Sequence, residues 1–238
     1  NLFGIDINRS IARIAKMKLL LESNGRTNIL CNNSLEDLDS ILPSLGQKDG
    51  FDLILTNPPF GAKITQSSVL SKFDLGHKWS RHDNGYYKTK TVYSNQNAEI
   101  LFIERCLQLL KEGGRMGIVL PNGNFENPSL EYLRFYIKQK AKVLAVVNLP
   151  QETFIPYGTG VKTSLLFLEK ESKNESKQYP IFFGRVTKLG YQGNKNGTPI
   201  YVKDKYGQVI KDKTGKPILD EDFTLIANSY KEFQEGKN

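Results

Sequence analysis

Residues 51–64 read Phe-Asp-Leu-Ile-Leu-Thr-Asn-Pro-Pro-Phe-Gly-Ala-Lys-Ile, an apolar run that meets two prolines behind an asparagine. Neither Pro58 nor Pro59 has an amide hydrogen, so a central strand over Phe51, Leu53, Ile54 and Leu55 must end there in a stiff turn. Asn57 then presents one carbonyl acceptor and one donor pair at a strand's carboxyl end, which suits the exocyclic amine of an adenine or the amide of a glutamine. The Pro58 carbonyl is a second acceptor for that amine, and Phe60 offers a ring to a flat base turned out of its duplex. Two acceptors aimed at one NH2 group favour a tetrahedral nitrogen whose lone pair faces an electrophilic carbon, so no strong base is needed before attack. The same residues also describe a rigid strand terminator with a core phenylalanine. Asp6 and Asn33 fall at two other predicted strand ends, where open parallel sheets bind ligands. Asp6 can accept both hydroxyls of a nucleoside ribose or cap the next helix. Asn33 can meet an adenine ring or cap a helix that starts at Ser34.

The elements that must position these residues alternate. Strands are predicted over 2–7, 28–31, 51–57, 115–121, 142–150 and 161–169. Helices are predicted from a cap at Asn8 or Ser10 to a stop at Gly25, over 34–45, from Asn97 to about Glu112, and over about 129–139. This alternation implies an α/β fold with a mainly parallel sheet covered on both faces. Residues 61–96 are polar and lack apolar periodicity, so an irregular stretch is expected there. A charged linker over 170–180 and a short strand, Ile181–Val186, come next. The Gly-, Lys- and Asp-rich segment 184–218 reads as an exposed irregular loop or loose hairpin in preference to a DNA-contacting arm, although a basic loop can add phosphate contacts. A terminal helix has Phe223, Leu225, Ile226, Tyr230 and Phe233 available to dock. The division expected is a partial catalytic domain over 1–183 and a basic extension over 184–238.

Composition narrows the class. The 238 residues are 39% hydrophobic, enough for a sizeable core, and 33 Lys plus Arg against 25 Asp plus Glu give a formal charge of +8 that allows an anionic partner. Cys31 and Cys106 read as two reduced core thiols, and His77 and His82 lie in a polar stretch, so no metal is assigned. No apolar run approaches a membrane span and no signal peptide is evident, so a cytoplasmic protein is expected.

The runs Gly4–Leu35, Phe51–Gly61, Leu101–Gly123 and Val146–Leu168, in this order, resemble the catalytic core of the N6-adenine DNA methyltransferases, most closely the modification subunit of type I restriction-modification systems. The resemblance implies a Rossmann-like S-adenosylmethionine-dependent methyltransferase fold and methyl transfer to a flipped-out adenine in double-stranded DNA. It implies partners as well: a DNA-specificity subunit and a restriction subunit. By family likeness Asp6 holds the ribose hydroxyls of S-adenosylmethionine, Ile7 packs on its adenine, and Asn33 stands where the family commonly has an aspartate. Asn57 borders both cofactor and target, and Asn57, Pro58, Pro59 and Phe60 match the target-adenine motif unchanged. The residues before Val161 resemble those that border the base pocket.

One departure qualifies this likeness. The family places a Gly-x-Gly loop after its first strand, and none precedes Asp6, so the chain is expected to be a carboxyl-terminal fragment that lacks the first strand, the cofactor loop and the amino-terminal helical domain. Such a fragment is expected to be inactive alone, and to dimerise or pair with the missing portion. A protein or RNA amine methyltransferase is the alternative enzyme, with Phe60 in place of tyrosine and the long 61–96 insertion against it. A non-catalytic nucleic-acid-binding or subunit-binding piece is the third reading.

Overall fold

The computed structural model of the chain describes residues 2–22, 28–171 and 178–236. β1 (Phe3–Asp6) leads into α1 (Arg9–Glu22) and β2 (Asn28–Cys31). Asn8 is the cap that is used: its Oδ1 accepts the amides of Ser10 and Ile11 at 2.9 and 3.2 Å. The stop expected at Gly25 lies outside the described residues. β1 and β2 pair in parallel, with Asp6 opposite Cys31. Cys31 is exposed rather than in the core, whereas Cys106 is buried and its thiol is pushed up to about 12. α2 (Leu38–Ser44) begins later than the helix predicted from Ser34, because residues 33–36 fold into a turn first. β3 (Phe51–Thr56) stops one residue before Asn57.

The stretch expected to be irregular is instead structured. β4 (Lys63–Ile64) and α3 (Ser67–Leu70) precede a hairpin of β5 (His77–His82) and β6 (Gly85–Val92), and β7 (Gln96–Asn97) returns to pair antiparallel with β4. A few aromatic contacts fix this polar hairpin. Trp79 stacks on Tyr132 at 6.1 Å and meets Tyr136 edge-on at 6.0 Å. Gly85 comes so near Phe135 that a Cβ would lie 2.4 Å from its ring.

α4 (Ala98–Leu109) ends earlier than predicted because β8 (Leu110–Pro121) already pairs with β3 from Leu110 onward. α5 (Gly123–Glu126), α6 (Glu131–Lys140), β9 (Ala141–Asn148), β10 (Thr163–Lys170), β11 (Phe182–Arg185) and α7 (Phe223–Gln234) complete the order. The main sheet has five strands in the order β11-β9-β10-β8-β3. The pairings make β10 antiparallel to both of its neighbours and leave the other four strands pointing one way, so the sheet is mainly parallel.

One face of this sheet is fully covered. Met116, Ile118, Leu120, Leu166 and Leu168 are buried against Ile100 and Ile103 of α4 and Leu133 and Ile137 of α6. The other face is covered at one end only, where Ile226 of α7 packs with Val147, Phe167 and Phe182, and Tyr230 and Phe233 flank Phe182 at 5.4 and 5.6 Å. Leu53 and Leu55 of β3 remain 61% and 71% exposed, so the double coverage expected from the sequence fails there.

β1 and β2 form a separate two-stranded sheet, and β3 has β8 as its sole partner, so among the described strands none pairs with the free edge of β1 or of β3. The two pieces still touch. The Phe3 and Phe51 rings meet at 5.3 Å, and Ile41, Leu45 and Leu109 gather residues of β1, β2 and β3 into one apolar cluster.

β11 runs across residue 183, so the carboxyl-terminal extension is continuous with a strand of the main sheet. Beyond it, paired bridges join Leu189 to Glu221, Tyr191 to Pro199, Tyr201 to Leu219, Lys203 to Val209 and Lys211 to Pro217. Of the exposed irregular loop or loose hairpin expected, the antiparallel bridges favour a hairpin-like arm, and it is closely hydrogen-bonded rather than loose. Of the linker predicted over 170–180, residues 172–177 lie outside the described residues.

Candidate functional site

The proline-stopped strand delivers its turn to the carboxyl end of β3. Asn57 is exposed, Pro58 is buried, Pro59 is exposed and Phe60 is half-buried, so the asparagine points into open space from a backbone anchored by the next residue. Gly61 takes φ +68°, a left-handed conformation that reverses the chain after Phe60. Three contacts then hold the turn against the start of α4. The Gly61 amide donates to Glu99 Oε2 at 3.2 Å, the Ala98 amide donates to the Ala62 carbonyl at 2.8 Å, and Lys63 and Ile64 pair with Asn97 and Gln96. Glu99 is 2% exposed, so its carboxylate is held in the interior at the root of the turn.

A second aromatic ring completes one wall. The chain leaves β9 through Leu149 and Pro150 into a 3-10 segment, Gln151–Tyr157, and Phe154 of that segment meets Phe60 edge-on at 5.5 Å. Tyr157 lies a further 6.4 Å from Phe154 and is largely exposed. Buried amides and hydroxyls brace this edge of the sheet: Ser164 Oγ donates to Asn122 Oδ1 at 2.9 Å and accepts from Asn148 Nδ2 at 3.2 Å. The carboxyl-terminal extension supports the 3-10 segment from outside. Tyr191 Oη donates to the Thr153 carbonyl at 2.6 Å, and Gly193 approaches Glu152 so closely that a Cβ would lie 2.3 Å from its side chain.

The other predicted residues lie across the open place in the sheet. Asp6 ends β1, and its Oδ1 accepts the Asn8 amide at 2.7 Å, so part of its carboxylate serves the turn into α1. Asn33 follows the end of β2 by two residues, and its Oδ1 accepts the Leu35 amide at 3.0 Å. The Asn32 amide donates to the Asp6 carbonyl at 3.2 Å, which brings these two ends together. Ile7 is 72% exposed, an apolar side chain left bare beside the Asp6 carboxylate. Asp6, Ile7 and Asn33 therefore form one group, and Asn57, Pro58, Pro59 and Phe60 another. Sequence reasoning missed Glu99, Phe154 and Tyr191. A glutamate in the first turn of an apolar helix was the only local signal for Glu99, and nothing local marks a ring 94 positions from Phe60 as its partner.

The arrangement places an exposed amide, a proline carbonyl and two aromatic rings at one strand end, with a carboxylate and a bare aliphatic chain at another. The first set can receive the amine of a planar base, and the second suits a nucleoside with ribose hydroxyls and an apolar ring face.

Comparison with known proteins places the chain in a family. The chain is 29% identical over 165 residues to the type II restriction enzyme and methyltransferase RM.Eco57I of Escherichia coli, a match that covers 65% of the chain and 16% of that protein. It is 29% identical over 225 residues to the StySPI type I restriction enzyme methylase subunit of Salmonella potsdam, covering 86% of the chain and 37% of the subunit. The chain thus spans little more than a third of the longer-covered of these two relatives. Among solved structures, a chain of a type I R-M system shares its fold with a TM-score of 0.59 at 22% identity, covering 83% of this chain and 36% of that one. The EcoKI M protein shares it with a TM-score of 0.50 at 23% identity, covering 73% and 33%. The family described as N-6 DNA Methylase matches residues 1–238, the entire sequence, and the chain belongs to that family.

Proposed function

We propose that this chain is the target-adenine side of an S-adenosylmethionine-dependent DNA adenine N6-methyltransferase, the modification subunit of a type I restriction-modification system. The observation that carries the reading is the turn after β3: Asn57 is exposed on a backbone held by buried Pro58, by the Gly61 to Glu99 hydrogen bond and by the Ala98 to Ala62 hydrogen bond. In this reading Asn57 Oδ1 and the Pro58 carbonyl accept the two amine hydrogens of an extrahelical adenine. They hold its nitrogen lone pair toward the methyl donor, and the proton is lost after attack. Phe60 and Phe154 confine the ring. S-adenosylmethionine supplies the electrophilic methyl group when bound. Asp6, Ile7 and Asn33 would hold its nucleoside, and the bare Ile7 side chain beside Asp6 fits an adenosine. The edges of β1 and β3 left unpaired among the described residues support a site completed by a further strand between them, so the described residues alone are expected to transfer no methyl group. Double-stranded DNA, a specificity subunit and a restriction subunit are the partners this reading requires.

Asn57→Ala in the completed enzyme is the decisive test. Loss of one oriented acceptor costs about 3 kcal/mol, roughly a hundredfold in turnover. Mass spectrometry of duplex DNA incubated with labelled S-adenosylmethionine should show N6-methyladenine from the wild type and almost none from the variant. Label in protein glutamine or RNA in place of DNA adenine would overturn the reading.

A further inference from the structure

The arm beyond Ile200 has a construction that its exposure does not require. Residues 203–219 are all exposed, yet their backbone is closely satisfied. Ile210 donates its amide to Val202, Ile218 to Ile210 and Val202 to Ile218, at 2.9, 3.0 and 2.9 Å. These three residues, spaced evenly along the chain, close a triangle of hydrogen bonds. Two sides of it are loops of one pattern, Lys203-Asp204-Lys205-Tyr206-Gly207 and Lys211-Asp212-Lys213-Thr214-Gly215. In the first, Asp204 Oδ1 accepts the amides of Tyr206 and Gln208 at 2.8 and 2.9 Å. In the second, Asp212 Oδ1 accepts those of Thr214 and Lys216 at 2.8 and 3.0 Å. Gly207 and Gly215 reverse the loops at φ +81° and +84°. Both aspartates are thus turned inward onto turn amides. Lys203 and Lys205 of the first loop and Lys211, Lys213 and Lys216 of the second are exposed, with Lys205 Nζ over the Tyr206 ring at 5.0 Å.

The arm also has a defined position. Its root, through Tyr191 and Gly193, is packed on Thr153 and Glu152 of the segment whose Phe154 touches Phe60. Tyr206, Val209, Ile210, Ile218 and Leu219 are also exposed on the arm, but they are interspersed with five lysines, and a repeating cationic surface suits a repeating polyanion better than a protein face, since lysine is depleted at protein interfaces.

We propose that this double loop is a clamp for the sugar-phosphate backbone of duplex DNA, with Lys203, Lys205, Lys211, Lys213 and Lys216 contacting phosphates next to the target base. It rests on the adenine-methyltransferase reading for the identity of the duplex, but its test is binding alone. Fluorescence anisotropy of a short labelled duplex would be followed with the full chain between about 50 and 200 mM salt. Changing the five lysines to glutamine should weaken binding at least about tenfold and flatten the slope of log affinity on log salt by about 0.9 for each phosphate no longer neutralised. The five-arginine variant should restore both. In the unaltered chain, reductive methylation should modify these five amines more slowly when duplex is present. An unchanged slope in the glutamine variant, or equal modification with and without duplex, would overturn the clamp. A clamp that passes both tests while the completed enzyme, with its missing strand supplied, yields no N6-methyladenine would instead overturn the proposed reaction.

Discussion

α1 and α4 are helices of similar length in one chain, and their surroundings could hardly differ more. Ten of the twelve residues of α4 are buried, whereas Ala12 alone is buried among the fourteen of α1. Ile14, Met17 and Leu21 of α1 stand 65%, 63% and 87% exposed. α4 packs on a five-stranded sheet, and α1 lies beside two strands with an open edge. Apolar residues therefore do not bury themselves by being on a helix; they need a sheet face wide enough to receive them. The proposed target side lies at the end of β3 on the five-stranded sheet, and the proposed cofactor side on the two-stranded one.

The contrast can be broken most directly by hydrogen exchange. Amides of α4 should exchange about a thousandfold more slowly than those of α1, because the open half is free to unfold locally. Equal protection in the two helices would mean that something else covers α1. Next in size is a pair of truncations. Leu101→Ala, at a fully buried position packed with Leu35, Leu70 and Phe73, should cost about 3 kcal/mol in urea unfolding, and Leu21→Ala less than about 0.5 kcal/mol.

Buried charge sharpens the same difference. Glu104 of α4 accepts the Asp74 and Leu75 amides at 2.8 Å each, but burial outweighs those bonds and raises its pKa from 4.5 to about 7. The folded chain keeps a proton there that the unfolded chain releases, so stability falls as pH rises from about 4.5 through 7 and levels off above. Urea midpoints should trace a loss of about 3 kcal/mol, and Glu104→Gln should flatten it. The smallest effect concerns Glu99, which holds the Gly61 amide at the root of the turn. Glu99→Ala frees the Gly61 amide and should lower turnover of the completed enzyme about tenfold, with Glu99→Gln recovering most of it because its carbonyl still accepts.

Local chemistry explains what was legible in the sequence. Two adjacent prolines must end β3, so the place of Asn57 at a strand end could be read directly, and apolar runs separated by helical periods announced a mainly parallel sheet. The hairpin of β5 and β6 escaped because Trp79 finds its partners on α6, far along the chain, and polar residues occupy most of its length. The tight order of the arm escaped because it comes from backbone bonds among Val202, Ile210 and Ile218, whose spacing matches neither a helical nor a strand period.

The residues of the two half-sites were thus set by sequence, since proline stops, glycine turns and asparagine caps act within a few bonds. Which side chains meet was decided by the tertiary structure alone. Phe154 against Phe60, Glu99 beneath Gly61, and Tyr191 on Thr153 each join distant segments across a packed sheet. Only the closing of that sheet determines their distances, because a contact between remote segments gains its energy from burial and alignment that no short stretch contains.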